Sequence, residues 1–289
     1  MNENVNVFLP MRAGSERVPK KNTKTFAGVN GGLCKIKLEQ LVKCDAVENV
    51  IVSTNDPEVI DISNSLNSKK IKIIIRPDQL ASSLASTDDL IRYVPEIMPD
   101  GHILWTHVTS PFIGPDIYNQ IIDQYFKSLT TFDSLMTVSK LQKFIWNDSE
   151  PISYDRDVEK WPRTQTIDPL WEVNSGAFMA SKAIYKRNID RIGKKPFLFE
   201  ISDKIAFDID WFSDFKMAEA MYYPIHLEIS PSRAKLDQKV MSRKISIPRT
   251  KLDSQIVKQK TVENVRNTEI KRNTLIQSTK SLPSERASH

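Results

Sequence analysis

Short apolar runs alternate with helical patterns through the first half of the chain. The runs are rich in β-branched residues and begin at Val5, Asn49 and Ile71, while Leu33 to Val42 spaces its apolar residues at helical intervals. A connection between two parallel strands has to cross back over the sheet, and a helix is the usual way to do so. The alternation therefore predicts an α/β fold, a mostly parallel sheet with helices on both faces.

The same alternation continues to Val138 and then stops. Asp56 and Pro57 have the residue types of a helix N-cap and first turn, and a strand is expected from His102 to His107. From Ser139 to Pro169 the chain is instead rich in Trp, Pro and charge, and it is too long for an ordinary connection. We expect this segment to form a projecting arm, or a lid over the chain's own site.

A cationic loop follows directly on the first strand. It carries Arg12, Gly14, Ser15 and Lys21. Backbone N–H groups freed by a glycine, together with fixed cations, can replace the water around a triphosphate. Neither a Walker sequence nor a three-glycine dinucleotide fingerprint can be placed here. The loop predicts a phosphate site, and a solvated cationic surface loop is the alternative.

Asp208-Ile209-Asp210 is a second candidate site. Two carboxylates separated by one residue project to the same side of an extended segment, where both can face one divalent cation. Mg²⁺ prefers such oxygen ligands and commonly binds through one or two carboxylates plus substrate phosphates. The alternative is that Asp210 or Ser213 caps a helix that begins near Trp211.

Charge is distributed unevenly along the 289 residues. Residues 231–289 contain 14 Lys/Arg and 5 Asp/Glu, a net of +9, so residues 1–230 hold the remaining 27 and 31, a net of −4. The body is therefore not expected to bind nucleic acid. Residues 1–230 are expected to form the catalytic domain, and 231–289 a basic, flexible extension with a possible anionic partner.

The cysteines and the N-terminal residues argue for a reducing compartment. Cys34 and Cys44 fall ten apart in one predicted helical region, so neither a disulfide nor a zinc site is expected. The N-terminal residues lack a basic region followed by an apolar one, and no apolar run is long enough to span a bilayer. We expect a cytoplasmic location.

The loop after the first strand resembles the signature of the acylneuraminate cytidylyltransferase family, the CMP-sugar synthetases. Arg12, Gly14 and Ser15 match it, as do Lys21 and Asn22, whereas Glu16 stands where a basic residue is usual. The resemblance implies a Rossmann-like nucleotidyltransferase fold with a dimerisation arm. It covers roughly Val5 to Tyr223.

Three further motifs extend the resemblance, and the motifs follow one another along this chain in the same order as in the family. Arg76 to Ser82 resembles the stretch that, with Asn22, lines the family's cytosine pocket, and Asp208 and Asp210 resemble its Mg²⁺ ligands. Strand capping by Arg76 and turn capping by Ser82 are the alternative.

The remaining motif, which precedes Asp208 in the sequence, resembles the part of the family's site that contacts the sugar. His107, Thr109 and Ser110 resemble a Gln-x-Thr-Ser motif with His in place of Gln, and Asn174 resembles an Asn-Gly pair into which Ser175 is inserted. An arginine expected just before that asparagine is missing. The resemblance implies sugar contacts at His107, Thr109, Ser110 and Asn174, although a structural role for a lone histidine is the alternative.

The function that the resemblance implies is transfer of CMP from CTP to the anomeric hydroxyl of a sialic-acid-like ulosonic acid. Arg12 and Lys21 would hold the phosphates, and the general base is open between Asp210 and a metal-bound hydroxide. The family resemblance also implies a homodimer, in which Lys143, Arg156 and Arg163 of the arm are candidates to meet the sugar carboxylate in trans. Transfer to another sugar or to 3-deoxy-octulosonate, and a non-catalytic homologue that binds anionic partners through its tail, are the alternatives.

Overall fold

The computed structural model describes residues 4–227 of the chain. The described strands are β1 (Val5–Met11), β2 (Val47–Thr54), β3 (Ile71–Ile75), β4 (His102–Trp105), β5 (Ser134–Leu141), β6 (Leu170–Ser181) and β7 (Pro196–Glu200). The α-helices are α1 (Gly32–Val42), α2 (Pro57–Ser65), α3 (Asp78–Ala81), α4 (Thr87–Ile97), α5 (Pro115–Ser128), α6 (Lys182–Asn188), α7 (Asp203–Ala206) and α8 (Phe212–Leu227). The predicted basic extension, 231–289, lies outside the described residues.

The strands form one seven-stranded sheet in the order β3-β2-β1-β4-β6-β5-β7. Strands β1 to β4 run parallel to one another, and β7 runs parallel to β5, while β6 is antiparallel to both β4 and β5. The mostly parallel sheet predicted from the alternation of elements is confirmed. The reversal of β6 was not predicted, because composition does not indicate strand direction.

Helices cover both faces of the sheet. On one face, α1, α5 and α8 pack against the odd positions of β1, so that Leu38, Tyr118 and Phe215 belong to one buried cluster with Leu9. On the other face, α4 and α6 cover Phe8, whose ring packs edge-on against Trp105 at 4.7 Å between centroids. Because successive side chains of a strand point to opposite faces, a strand buried on both sides is apolar at almost every position.

The carboxyl ends of β1, β2 and β4 lie side by side. Phe8 pairs with both Ile51 of β2 and Trp105 of β4, so the loops after these three strands leave from the same edge. In an open parallel sheet, this edge is where ligands bind. The switch in order, with β2 on one side of β1 and β4 on the other, opens the crevice here.

The predicted start of α2 is confirmed. Asp56 caps α2 by accepting a hydrogen bond from the Glu58 backbone N–H at 3.0 Å, and Pro57 occupies its first turn. Cys34 and Cys44 are buried free thiols. None of the described helices combines the length and the apolar character that a bilayer span requires.

The segment between β5 and β6 packs largely on itself. The ring of Phe144 packs edge-on against those of Tyr154 and Trp161, and the Arg156 guanidinium lies over the rings of Trp146 and Trp161, at 5.5 and 5.4 Å from their centroids. Trp161 is nevertheless 67% exposed. These side chains thus form a small, partly exposed aromatic cluster within the segment.

Candidate active site

The loop after β1 is held in place from both sides. Gly14 has φ +76°, a conformation that residues with a Cβ rarely adopt. The Ala13 N–H donates to Asn55 Oδ1 after β2 at 2.9 Å, and Asn22 Nδ2 donates to the Arg12 carbonyl at 3.2 Å. These hydrogen bonds hold the loop against the end of β2.

A cavity of about 420 Å³ opens between this loop and the end of β4. Arg12, Ser15, Lys21 and Asn22 line one side, and the residues after β4 line the other. Its walls carry the cationic side chains of Arg12, Arg17 and Lys21. Such a cavity suits a phosphorylated ligand.

The segment Asp208–Asp210 is fastened to the rim of this cavity. The Ile209 N–H donates to the Thr109 carbonyl at 3.0 Å, and Lys21 Nζ donates to the Ile209 carbonyl at 2.9 Å. Burial lowers the pKa of Lys21, while the carboxylates of Asp210 and Asp208 act in the opposite direction. The structure thus brings the cationic loop and the acidic pair together, although almost 190 residues separate them in sequence.

The carboxylate of Asp210 does not cap α8. Asp214 has that role, because its Oδ2 accepts hydrogen bonds from the backbone N–H groups of Asp210 and Trp211, at 3.1 and 2.7 Å. Asp210 instead forms an ion pair with Arg17, whose guanidinium nitrogen lies 2.9 Å from its Oδ1. The helix-capping alternative for Asp210 and Ser213 is therefore not what the structure shows.

The donor set fits a magnesium ion. Ile209 is fully buried, whereas Asp208 is half-buried and Asp210 is exposed, so both carboxylates are accessible. The described residues hold no group of three or more His, Cys, Asp or Glu side chains placed to bind a metal. An Asp pair suits Mg²⁺, which keeps waters and substrate phosphates as its other ligands, better than a metal that needs an all-protein cage.

A second cavity, also of about 420 Å³, adjoins the acidic pair. Asp208 and Asp210 line it together with residues of β5 and β6, among them Asn174. The Asn174 amide is itself engaged, since its Oδ1 accepts from Thr137 Oγ1 at 2.6 Å and from the Gly176 N–H at 3.1 Å. Asn174 shapes the wall of this cavity while its side-chain oxygen is already occupied.

His107 lines the first cavity as a neutral imidazole. Trp105 Nε1 donates to His107 Nε2 at 3.0 Å, so the ring hydrogen lies on Nδ1. Burial, and to a lesser extent the nearby cations Arg191 and Lys21, lowers the His107 pKa to about 3. His107 therefore offers a hydrogen-bond donor that stays uncharged across the physiological range.

The structure places Arg76 and Ser82 differently from the loop residues. Arg76 is 2% exposed and donates to the hydroxyl and the carbonyl of Ser53, at 3.1 and 2.6 Å. Burial, with the nearby Arg12 as a second cause, lowers its pKa to about 10. Ser82 is exposed at the end of α3, where its hydroxyl donates to the Gln79 carbonyl at 3.2 Å. Neither side chain lines the first cavity.

Ser110 lies beneath the site rather than in it. Its side chain is fully buried, and its hydroxyl has no hydrogen-bond partner within residues 4–227. Of the sugar contacts that the resemblance implies, His107 and Thr109 line the first cavity and Asn174 lines the second, whereas Ser110 lines neither.

Sequence reasoning missed Lys37, which supports the backbone around Ser110 beneath the site. Its ammonium group is fully buried and donates to the carbonyls of Ser110 and Ile113, at 2.8 and 3.2 Å, and to the Tyr118 hydroxyl at 2.8 Å. Burial lowers the Lys37 pKa to about 7. A signal was present, because Lys37 falls between Leu33 and Leu41 on the apolar face of α1.

Comparison with known proteins relates this site to nucleotidyl transfer. A family model described as cytidylyltransferase matches residues 7–160, more than half of the chain. A pseudaminic acid cytidylyltransferase of Campylobacter jejuni is 22% identical over 228 residues, which cover 76% of this chain and 96% of the relative. An N-acylneuraminate cytidylyltransferase of Escherichia coli is 23% identical over 255 residues, 82% of this chain and 59% of the relative.

Solved structures show the same fold. A CMP:2-keto-3-deoxy-manno-octonic acid synthetase complexed with CTP superposes with a TM-score of 0.55 at 15% identity, covering 76% of this chain and 98% of the other. The family match covers more than half of the chain, and the strand order and the cationic loop at the end of β1 are consistent with it. The chain belongs to the cytidylyltransferase family.

Proposed function

We propose that this cytidylyltransferase transfers the cytidylyl group of CTP to the anomeric hydroxyl of a sialic-acid-like ulosonic acid. The hydroxyl oxygen attacks the α-phosphorus, the bond to the β-phosphate oxygen breaks, and pyrophosphate leaves with the electron pair. The observation that carries the proposal is the meeting of the cationic loop with the acidic segment, through Lys21 on the Ile209 carbonyl and Arg17 on Asp210.

The relatives' names support the choice of acceptor class. The pseudaminic acid and N-acylneuraminate enzymes and the octonic acid synthetase are all named for acidic keto-sugars. The first cavity presents the cationic loop to a triphosphate and has His107 and Thr109 on its other side, whereas the acidic pair and β6 line the second. A sugar held between the two cavities can contact residues of both.

The roles of the loop residues follow from their charge and position. Arg12 and Lys21 bind the phosphates and neutralise the negative charge that develops on the leaving pyrophosphate. Gly14 and Ser15 present backbone N–H groups, and Asn22 both fixes the loop and contacts the cytosine. The base extends from there toward Arg76 and Ser82, beyond the end of β3. Positioning the hydroxyl in line with the leaving oxygen is most of what the protein must do.

Asp208 and Asp210 are the residues that would hold Mg²⁺. When bound, the ion supplies positive charge that polarises the α-phosphate. On the acceptor side, His107 donates from Nδ1 and Thr109 contacts the sugar, while Ser110 and Asn174 shape the site around them. Asp210 remains a candidate general base.

The arm, residues 139–169, is proposed to complete the site in a homodimer. Arg156 is engaged between two Trp rings, whereas Lys143 and Arg163 are exposed and form no ion pair within the part of the chain that the structure describes. Lys143 and Arg163 are therefore the better candidates to reach the sugar carboxylate of a neighbouring protomer. A cytoplasmic location and an anionic partner for residues 231–289 also stay predictions.

Pyrophosphate release tests the proposal directly. The purified full chain is incubated with Mg²⁺, each of the four NTPs in turn, and a panel of sialic, legionaminic, pseudaminic and 3-deoxy-octulosonic acids. We expect release with CTP and a nine-carbon acid. Release only with the octulosonic acid or with another NTP would reassign the substrate, and no release with any pair would favour a non-catalytic homologue.

A further inference from the structure

We propose that Arg17 occupies the metal's place on Asp210 in the free enzyme and transfers to the triphosphate when the metal binds. The inference rests on the proposed function in one respect, the assignment of Asp208 and Asp210 to the metal. It goes beyond it by giving Arg17 two successive partners. Arg17 thereby becomes a nucleotide-binding residue only after the metal site is filled.

The ion pair between Arg17 and Asp210 places a cation where a metal ligand is needed. The guanidinium nitrogen lies 2.9 Å from Asp210 Oδ1, and the guanidinium carbon lies 5.1 Å from the centroid of the Trp211 ring. A divalent cation on Asp210 and a guanidinium at this distance would repel each other. The two cations therefore compete for one carboxylate.

Of the two cations beside the acidic pair, Arg17 is the one that can move. Lys21 is half-buried and bonded to a backbone carbonyl that is itself fixed by the sheet edge. The side chains of Arg17 and Asp210 are 47% and 51% exposed, and ion pairs this exposed contribute little to stability. Displacing Arg17 therefore needs only a small free-energy gain from the metal.

The phosphate-binding cavity is within reach of the Arg17 side chain. It lines the cavity that contains Arg12, Lys21 and Asn22, on the same wall as those phosphate-binding candidates. A guanidinium can bind a phosphate through two parallel hydrogen bonds. In its ion pair with Asp210, Arg17 contacts only one carboxylate oxygen. Released from Asp210, Arg17 adds a cation to the triphosphate site at the moment when the metal has filled the acidic one.

Direct metal binding tests the first half of the exchange. Mn²⁺ is titrated into the full chain without nucleotide, and free Mn²⁺ is followed by electron paramagnetic resonance for the wild type, Arg17→Met and Lys24→Met. Lys24 is an exposed cation that lies over the Phe212 and Phe215 rings of α8, so its loss controls for net charge. We expect Arg17→Met to bind Mn²⁺ about fivefold more tightly, and Lys24→Met to match the wild type.

Nucleotide binding tests the second half. With Mn²⁺ saturating, Arg17→Met should bind CTP at least about fivefold more weakly than the wild type, and Arg17→Lys should recover part of that affinity. Mn²⁺ should also change the tryptophan emission of the wild type as Arg17 leaves Trp211, and this change should be absent in Arg17→Met and in Trp211→Phe.

The outcomes separate this inference from the proposed function. Unchanged or weaker Mn²⁺ binding in Arg17→Met, equal tightening in Lys24→Met, or unchanged CTP affinity would each overturn the exchange, even if the wild type releases pyrophosphate with CTP and a sugar acid. Conversely, the exchange stands if the Mn²⁺ and CTP results hold while no sugar on the panel reacts. Circular dichroism melting of each variant verifies that it is folded.

Discussion

At the scale of single residues, the site depends on cations whose surroundings differ. Lys21 is half-buried against a backbone carbonyl, Lys37 is fully buried beneath the site, and Arg17 is half exposed on a carboxylate. Burial, more than residue type, decides what each can do. A buried cation with fixed partners holds the site's shape, and an exposed one can change partner.

Loss of the Lys21 cation should abolish most activity without unfolding the protein. Lys21→Met removes the charge that faces the leaving pyrophosphate, and we expect a fall in kcat/KM of roughly 100-fold or more. Steady-state pyrophosphate release measures it, with Lys24→Met as the matched control. A Lys21→Met enzyme of near wild-type activity would exclude Lys21 from the phosphate site.

Lys37 should make stability rise with pH. Its pKa is lowered to about 7 in the folded chain from an ordinary value of 10.5. Between these values the unfolded chain binds a proton that the folded chain does not, so the free energy of unfolding increases with pH, by up to about 1.4 kcal/mol per pH unit. This contribution is absent below pH 7, where both states are protonated.

Urea unfolding of the wild type and Lys37→Met at pH 7, 8 and 9 measures this contribution. The difference in free energy of unfolding should shift in favour of the wild type as pH rises, because Met does not titrate. Other groups cancel in the difference. Parallel pH profiles for the two proteins would show that the ammonium keeps its ordinary pKa despite its burial.

At the scale of elements, the acidic segment between α7 and α8 lines the second cavity and contacts Lys21 and Arg17, which line the first. Ile209 anchors it through both its N–H and its carbonyl, while Asp214 caps α8 and leaves Asp210 available. The anchor and the cap together fix the backbone from which both carboxylates project. Side-chain changes here should therefore alter chemistry more than folding.

Asp208→Asn and Asp210→Asn should each lower kcat/KM by roughly 100-fold and weaken Mn²⁺ binding, because an amide oxygen lacks the charge that a divalent cation needs. Asp123→Asn, at an exposed position on α5, is the control. Melting temperatures of all three variants should stay near that of the wild type. If Mn²⁺ affinity is unaffected by both substitutions at the acidic pair, the metal lies elsewhere.

The arm allows a test by mixing two inactive proteins. If Arg163 acts on a neighbouring protomer's site, Asp208→Ala and Arg163→Ala chains that exchange freely should together recover roughly a quarter of wild-type activity, because half of the dimers are mixed and each has one intact site. Each protein alone is the control. A lid over its own site predicts no recovery.

Sequence patterns predicted the elements best where the signal is local. The strand predicted to begin at Ile71 does begin there, and the Asp56 cap follows from residue type alone. Helix α4 was not predicted, because it contains Pro95 and begins with the polar residues Thr87 to Asp89. The antiparallel direction of β6 depends on its pairing with β4 and β5, which no local sequence pattern encodes.

The site was predictable in part for the same reason. Loop composition and Asp-x-Asp spacing located two groups that the structure brings together. Tertiary packing decided the rest, because it buries the hydroxyl of Ser110 beneath the site. The place of Lys37 on the apolar face of α1 indicates its burial, but its oxygen partners come from distant parts of the chain. The pairing of Arg17 with Asp210 spans most of the chain and has no local signal.

At the scale of the whole molecule, charge separates the chain into two parts. Residues 1–230 carry a net charge of −4 and residues 231–289 a net charge of +9. Attraction to a polyanion depends on local charge density more than on the net charge of the chain. Any such attraction should therefore belong to the basic segment.

Deletion of residues 231–289 should abolish retention on a heparin column at low salt while leaving pyrophosphate release within about twofold of the full chain. Retention of the full chain should fall as salt rises, since the attraction is screened. The intact protein run at high salt is the control. A shortened chain that still binds heparin would place the anion site in the catalytic domain.

The pairing of β5 with β6 has a consequence for how such an enzyme can diversify. Ser139 pairs with Glu172 and Leu141 with Leu170, so both ends of the intervening segment leave the sheet side by side. An insertion whose two ends lie on paired residues of neighbouring strands can be lengthened, shortened or replaced without disturbing any other strand. If this segment has its proposed contacts to the acceptor and to a second subunit, those contacts can change in evolution while the nucleotide site at the end of β1 stays the same.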